Sequence, residues 1–158
     1  EENVCKYAGG EKQPDGTLKG WGMFDPEEWI PEGVFCMKQD VKLLNEKVIH
    51  YTVERMISQT AEKYGITPDD IDYFLPHYSS EYFKDKVYAG MAKAGFEIPY
   101  EKWFSNLIYC GNTGAASIYI MLDELFKSGK LQEGQKLLCY IPESGRFSSS
   151  FMLLTVVA

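Results

Sequence analysis

Apolar positions along this chain recur with two periods. Continuous apolar runs occur at Ile71-Asp72-Tyr73-Phe74-Leu75-Pro76, Lys136-Leu137-Leu138-Cys139-Tyr140-Ile141 and Phe151-Met152-Leu153-Leu154-Thr155-Val156-Val157. Runs of that length without alternation predict strands buried on both faces. Shorter runs, Val34-Phe35-Cys36-Met37 and Leu107-Ile108-Tyr109-Cys110, read as two further short strands. Between them lies the helical period. Leu44, Val48, Thr52, Met56 and Thr60 form a stripe over a helix expected from about Val41 to Tyr64, with Asp40 as N-cap and Gly65 as its left-handed stop. Ile66-Thr67-Pro68-Asp69-Asp70 reads as a cap and a single turn into the strand at Ile71. Phe83, Val87, Met91 and Ala94 outline a second helix from Ser79 to Ala94, closed by Gly95.

A third helix follows Asn112. Ala115, Ala116, Ile118, Tyr119, Ile120, Met121, Leu122, Leu125 and Phe126 cover most of its circumference. An all-round apolar helix is a buried one, so a layer between two sheets is expected for it. The chain offers strands for one good sheet, and so reads as half of a five-layer molecule. Its first 33 residues carry Gly9-Gly10, Pro14-Asp15-Gly16 and Pro31-Glu32-Gly33, and read as an irregular connection holding one or two short strands.

Composition narrows the class. At 158 residues, 45% of them hydrophobic, the chain is long enough for one domain with a real core. A net charge of −7 argues against a nucleic-acid surface, which needs a basic face. No apolar run reaches the roughly 18 residues of a membrane span. The chain opens on Glu1-Glu2-Asn3 without a signal-like segment or an initiating Met, and so reads as a piece of something longer. Cys5, Cys36, Cys110 and Cys139 are scattered, which speaks against a zinc site and for buried thiols in a reducing, cytoplasmic compartment.

The candidate chemistry sits at strand ends. His77 follows the strand stopped by Pro76, and Asn112 follows the short run ending at Cys110. Open α/β sheets build their sites at the carboxyl ends of strands. On position alone, His77 reads equally as a histidine satisfied by backbone carbonyls, and Asn112 alone could cap the next helix. The loop Pro142–Ser150 can reach the same edge. His50, in mid-helix, carries no role, and packing is the better reading of Cys110.

A strand ending Pro76-His77, then Gly111-Asn112-Thr113-Gly114-Ala115-Ala116-Ser117, then a small-residue loop between two closing strands resembles the C-terminal half of β-ketoacyl-acyl carrier protein synthase III. The resemblance runs from about Val34 to Ala158. It implies a thiolase-like α/β fold, this chain being the C-terminal αβα half (residues 34–158) of an αβαβα molecule. It also implies His77 and Asn112 as two members of a Cys-His-Asn triad whose cysteine lies on an absent N-terminal half. Backbone N–H groups near Ser144 and Gly145 would help hold the acyl oxyanion, and Lys86 and Lys93, seven residues apart, could meet an acyl carrier protein. A solvated helix face is the alternative reading of the two lysines. Other implied partners are CoA thioesters and a second copy in a homodimer, with neither cofactor nor metal. The chain departs from the family pattern at His77-Tyr78-Ser79-Ser80, at Tyr82 in place of an arginine, and at Ser144-Gly145-Arg146. Those departures point to a specialised relative of the dialkylresorcinol or aryl polyene type. A non-catalytic partner subunit of the same fold is the alternative.

Overall fold

The computed structural model describes residues 5–157, which fall into two compact units. The first runs to Val48 and takes in Glu143–Ser148; the second comprises Ile49–Pro142 and the chain from Ser149 onward.

The first unit is built from short ladders. Strand β1 (Lys6–Tyr7) pairs antiparallel with β4 (Lys38–Gln39), and β2 (Gly10–Lys12) pairs antiparallel with β3 (Leu18–Gly20). The Pro14-Asp15-Gly16 signal makes the turn of the second hairpin: Gln13 N–H donates to Thr17 O at 2.7 Å, and Gly16 takes φ +87°. The strand expected at Val34–Met37 is instead a series of turns, with the pairing displaced to Lys38–Gln39. A four-residue apolar run carries no period of its own, and Phe35 finds a better use against Trp29, at a ring separation of 5.5 Å. Asp40 caps helix α1 (Val41–Ile49) by accepting the Leu43 N–H at 2.9 Å.

The second unit is a three-layer αβα sandwich. Strand β5 (Tyr73–Pro76) lies parallel to β6 (Lys136–Glu143), which is flanked by β7 (Ser148–Thr155). Only four residues join β6 to β7, too few for a parallel crossover, so they form an antiparallel hairpin. A parallel bridge adds Trp103 to the other side of β5, opposite Phe74. Alternation along the strands divides the core. Phe74, Leu138 and Tyr140 face helices α2 (Arg55–Tyr64) and α3 (Lys84–Lys93), with Val53, Ile57, Val87 and Met91. Leu75, Leu137 and Cys139 face helix α5 (Ser117–Lys127), with Ile118, Met121 and Leu125. β6 is buried from Leu137 to Tyr140, as expected; β7, expected to be buried on both faces, instead alternates between half-buried and exposed positions, with Leu153 exposed.

Other expectations shift in instructive ways. His50–Glu54 forms a π-helical turn before α2. The extra residue moves the buried stripe from the expected Thr52, Met56, Thr60 to Thr52, Val53 and Ile57, with Ala61 packed behind. Gly65 caps α2 with φ +62°, as its sequence position predicts. The next helix begins as a 3-10 turn at Glu81–Phe83, and α3 proper starts at Lys84 rather than Ser79. Gly90 of α3 is a contact point: an added Cβ would stand 2.6 Å from Ile49 Cγ2, so only glycine lets these helices approach. Leu107–Cys110, expected as a strand, is a single helical turn, α4. Finally, α5 buries one face only; Tyr119 and Phe126 are exposed along with Ala115 and Ala116 in the 3-10 turn before it.

Candidate functional site

His77 stands one residue beyond β5, and its backbone N–H extends the parallel ladder to Tyr140 O at 2.8 Å. The main chain is therefore committed, and the ring is held at the strand tip. The imidazole is half-buried and makes no hydrogen bond to any described residue. Burial without a charge partner lowers its pKa from the ordinary 6.5, so the neutral ring prevails at neutral pH. A neutral imidazole keeps one N–H donor and one acceptor nitrogen.

The neighbouring chain leaves the sheet at Trp103, where Phe104 N–H donates to Phe74 O at 2.9 Å. It passes Ser105 and Asn106, turns through α4 and reaches Asn112. Trp103 forms a parallel bridge to Phe74 of β5; His77 follows the carboxyl end of β5 directly, and Asn112 follows the bridged segment nine residues later, past α4. A helical turn, and not the expected strand, delivers Asn112.

Gly111 makes that delivery possible. It takes φ +71° and ψ −178°, a region that L side chains avoid. The Asn112 side-chain oxygen then accepts the Gly114 N–H at 3.0 Å, and the NH₂ of this exposed carboxamide has no partner among the described residues. The far side of the loop is pinned where the Thr113 N–H and hydroxyl meet Ser117 Oγ at 3.2 and 2.9 Å. Ser117 is buried, which fixes the start of α5.

Ser144 and Gly145 lie in the four-residue turn of the β6–β7 hairpin, within the first unit. There Glu143 folds back: its carboxylate accepts the Gly145 N–H at 2.5 Å and the Arg146 N–H at 3.0 Å. The Gly145 carbonyl accepts the Cys5 N–H at 2.8 Å. A Cβ on Gly145 would stand 2.7 Å from Glu143 Oε1, so glycine is needed for the carboxylate to close in. Phe147 completes the turn at φ +55°, buried. The Gly145 donor is thus already engaged, which sequence reasoning could not foresee.

The two candidate lysines have separate partners. Lys86 Nζ meets the Tyr82 hydroxyl at 2.6 Å and lies 4.0 Å from its ring centre, and Lys93 pairs with Glu54 at 2.9 Å. Among the cysteines, Cys139 is buried and its thiol is pushed up to about 12, which makes it inert. Cys36 and Cys110 are exposed, contrary to the expected burial and packing, because both sit on turns that present them outward. Sequence reasoning missed Glu124, which ties Asn106 and Tyr109 together.

Comparison with known proteins agrees with this architecture. A β-ketoacyl-[acyl-carrier-protein] synthase III from Prochlorococcus marinus is 33% identical over 97 residues, covering 60% of this chain and 27% of its own length. The synthase III structure from Thermus thermophilus superposes with a TM-score of 0.65 at 21% identity, over 98% of this chain and 46% of that one. A Xanthomonas campestris OleA structure superposes at 0.66 with 22% identity, over 76% of this chain and 33% of that one. The chain thus spans less than half the length of the relatives it matches. The family model for the 3-oxoacyl-[acyl-carrier-protein (ACP)] synthase III C terminal matches residues 61–141, a span that takes in both β5 with His77 and the Asn112 loop. That match covers just over half of the chain, which therefore belongs to the synthase III C-terminal family and forms one half of a thiolase-like fold.

Proposed function

We propose that this chain is the C-terminal part of a synthase III-like acyltransferase that condenses an acyl thioester with a malonyl thioester. One observation carries the reading: the half-buried imidazole at the tip of β5 has no partner among the described residues, and the Asn112 carboxamide has its oxygen tied down and its NH₂ left over. A cysteine on a nucleophile-bearing half, outside this chain, takes the acyl group from CoA or carrier protein. The malonyl thioester then loses CO₂, and the electron pair of the broken C–C bond passes into an enolate. The enolate carbon attacks the acyl-cysteine carbonyl, the new C–C bond forms, and the thiolate departs. His77 N–H and Asn112 NH₂ are the donors for the enolate oxygen, neutral groups that need no proton transfer to act.

The expected setting is a cytoplasmic homodimer serving fatty-acid or specialised lipid synthesis, with an acyl carrier protein as partner and no resident cofactor. Among the described residues no helix is long and apolar enough to cross a membrane. Glu143, which occupies the Gly145 N–H, favours a second reading, a non-catalytic partner subunit, since that donor is then closed to an acyl oxyanion.

The test uses this chain together with its nucleophile-bearing half. His77→Ala and Asn112→Ala should each lower malonyl decarboxylation by about 10²–10³-fold while leaving acylation of the cysteine intact. Equal loss of both steps, or no loss, would sink the reading.

A further inference from the structure

Helix α4 is only four residues long, and a single helical turn has no stability of its own. Apolar burial does not hold it either. Ile108 is 83% exposed, Tyr109 67%, and Cys110 is exposed as well. What fastens it is one carboxylate. On α5, Glu124 Oε2 accepts the Asn106 side-chain N–H at 2.8 Å, and Oε1 accepts the Tyr109 hydroxyl. Asn106 is buried at the N-terminal edge of α4, its carbonyl accepting the Tyr109 and Cys110 N–H groups at 3.2 and 2.9 Å. Tyr109 lies in the same helical turn, two residues before Gly111. Both hydrogen bonds are made to an ionised acceptor, which makes each roughly twice as strong as a neutral one. They hold the Glu124 carboxyl below its usual range, with Tyr109 the larger cause. Two turns earlier on the same helix, Ser117 anchors Thr113.

The geometry points to Glu124 as a positioning residue for Asn112: α5 carries two anchors, Ser117 and Glu124, that grip the Asn112 loop from its two sides and set where the carboxamide stands. Glu124 touches no reacting atom in this scheme and acts through α4. The inference rests on the reading of Asn112 as an enolate donor.

The test compares Glu124→Leu with Glu124→Gln in the chain joined to its nucleophile-bearing half. A glutamine can accept from Asn106 through its oxygen and donate to the Tyr109 oxygen through its amide, so it should restore both contacts. Glu124→Leu should speed amide hydrogen exchange across residues 107–114 and cut the condensation kcat by about 10–100-fold, with cysteine acylation unchanged. Glu124→Gln should return both quantities to within about threefold of the parent. Tyr109→Phe, which removes one exposed arm and leaves the buried one, gives a milder version should the leucine variant fail to fold; it should raise exchange over the same residues. Unchanged exchange in both variants would overturn the clamp. Faster exchange with condensation unmoved, while Asn112→Ala still lowers it, would overturn the positioning role and leave the Asn112 reading standing; loss of effect in Asn112→Ala as well would overturn both.

Discussion

Two loops of this protein offer hydrogen-bond donors, and they spend them differently. In the Asn112 loop the Thr113 and Gly114 N–H groups close on side-chain oxygens of Ser117 and Asn112, and the Asn112 NH₂ remains. In the hairpin turn after β6, local contacts consume donors: the Gly145 and Arg146 N–H groups both close on Glu143. Each turn is well satisfied internally. The first leaves the Asn112 NH₂ over for a developing oxyanion, whereas the second has its Gly145 donor engaged. A loop rich in small residues is therefore no measure of an oxyanion site, because what counts is which donors its own contacts leave over.

The comparison breaks most visibly at Gly111. Nothing lies within 4 Å of a Cβ added there, so an alanine fits in space, but φ +71° with ψ −178° is strained for it. That conformation costs a non-glycine residue about 1–3 kcal/mol. The loop can relieve it by turning Asn112 aside. Gly111→Ala should then reduce condensation on the order of ten- to a hundredfold with little change in thermal melting. A melting drop that accounts for the whole activity loss would show that the residue serves folding alone.

The second loop allows a smaller and opposite effect. Replacing Glu143 by Gln exchanges a charged acceptor for a neutral one and loosens its hold on the Gly145 N–H by about 1 kcal/mol. If that donor serves the acyl oxyanion once released, acyl-cysteine formation should rise about fivefold in Glu143→Gln, followed by mass spectrometry of the acylated half. A fall would mean that the closed turn is the working form and that the oxyanion finds its donors elsewhere.

Long-range order in this fold was legible where a residue type dictates backbone or burial. The buried strands at Phe74-Leu75 and Leu137–Tyr140 follow from continuous apolar runs, and Gly65 and Gly95 stop helices because they accept positive φ. Four-residue apolar runs were not legible: Leu107–Cys110 and Val34–Met37 suit a helical turn or a strand equally, and tertiary contacts decided. The π turn at His50–Glu54 adds a residue without any compositional mark, so the stripe beyond it slipped by one. At the site, spacing and resemblance single out His77 and Asn112, and the family match spans both. The Glu124 anchor links residues 18 positions apart, and the Glu143 closure depends on a turn conformation, so neither leaves a local pattern.

The subtlest test asks to which class His77 belongs. A ring that had already given its N–H to a carboxylate, as Gly145 gives its amide, would hold its proton more tightly and titrate above 6.5. Burial without such a partner does the reverse, lowering the pKa from 6.5. The linkage sign follows. As pH falls through 6.5 the unfolded chain binds a proton that the native ring refuses, so the native state loses stability between 6.5 and the lower native pKa and loses no more below it. Above 6.5 the contribution is fully present. The His77 Cε1–H resonance should therefore titrate below the unfolded reference, and denaturant unfolding should show stability declining over that window in the parent and less in His77→Gln. The effect is the smallest considered, since the ring is only half-buried and solvent moderates the shift. Titration above the reference would place an unseen acceptor on the imidazole, and His77 would then join Gly145 among groups already spent.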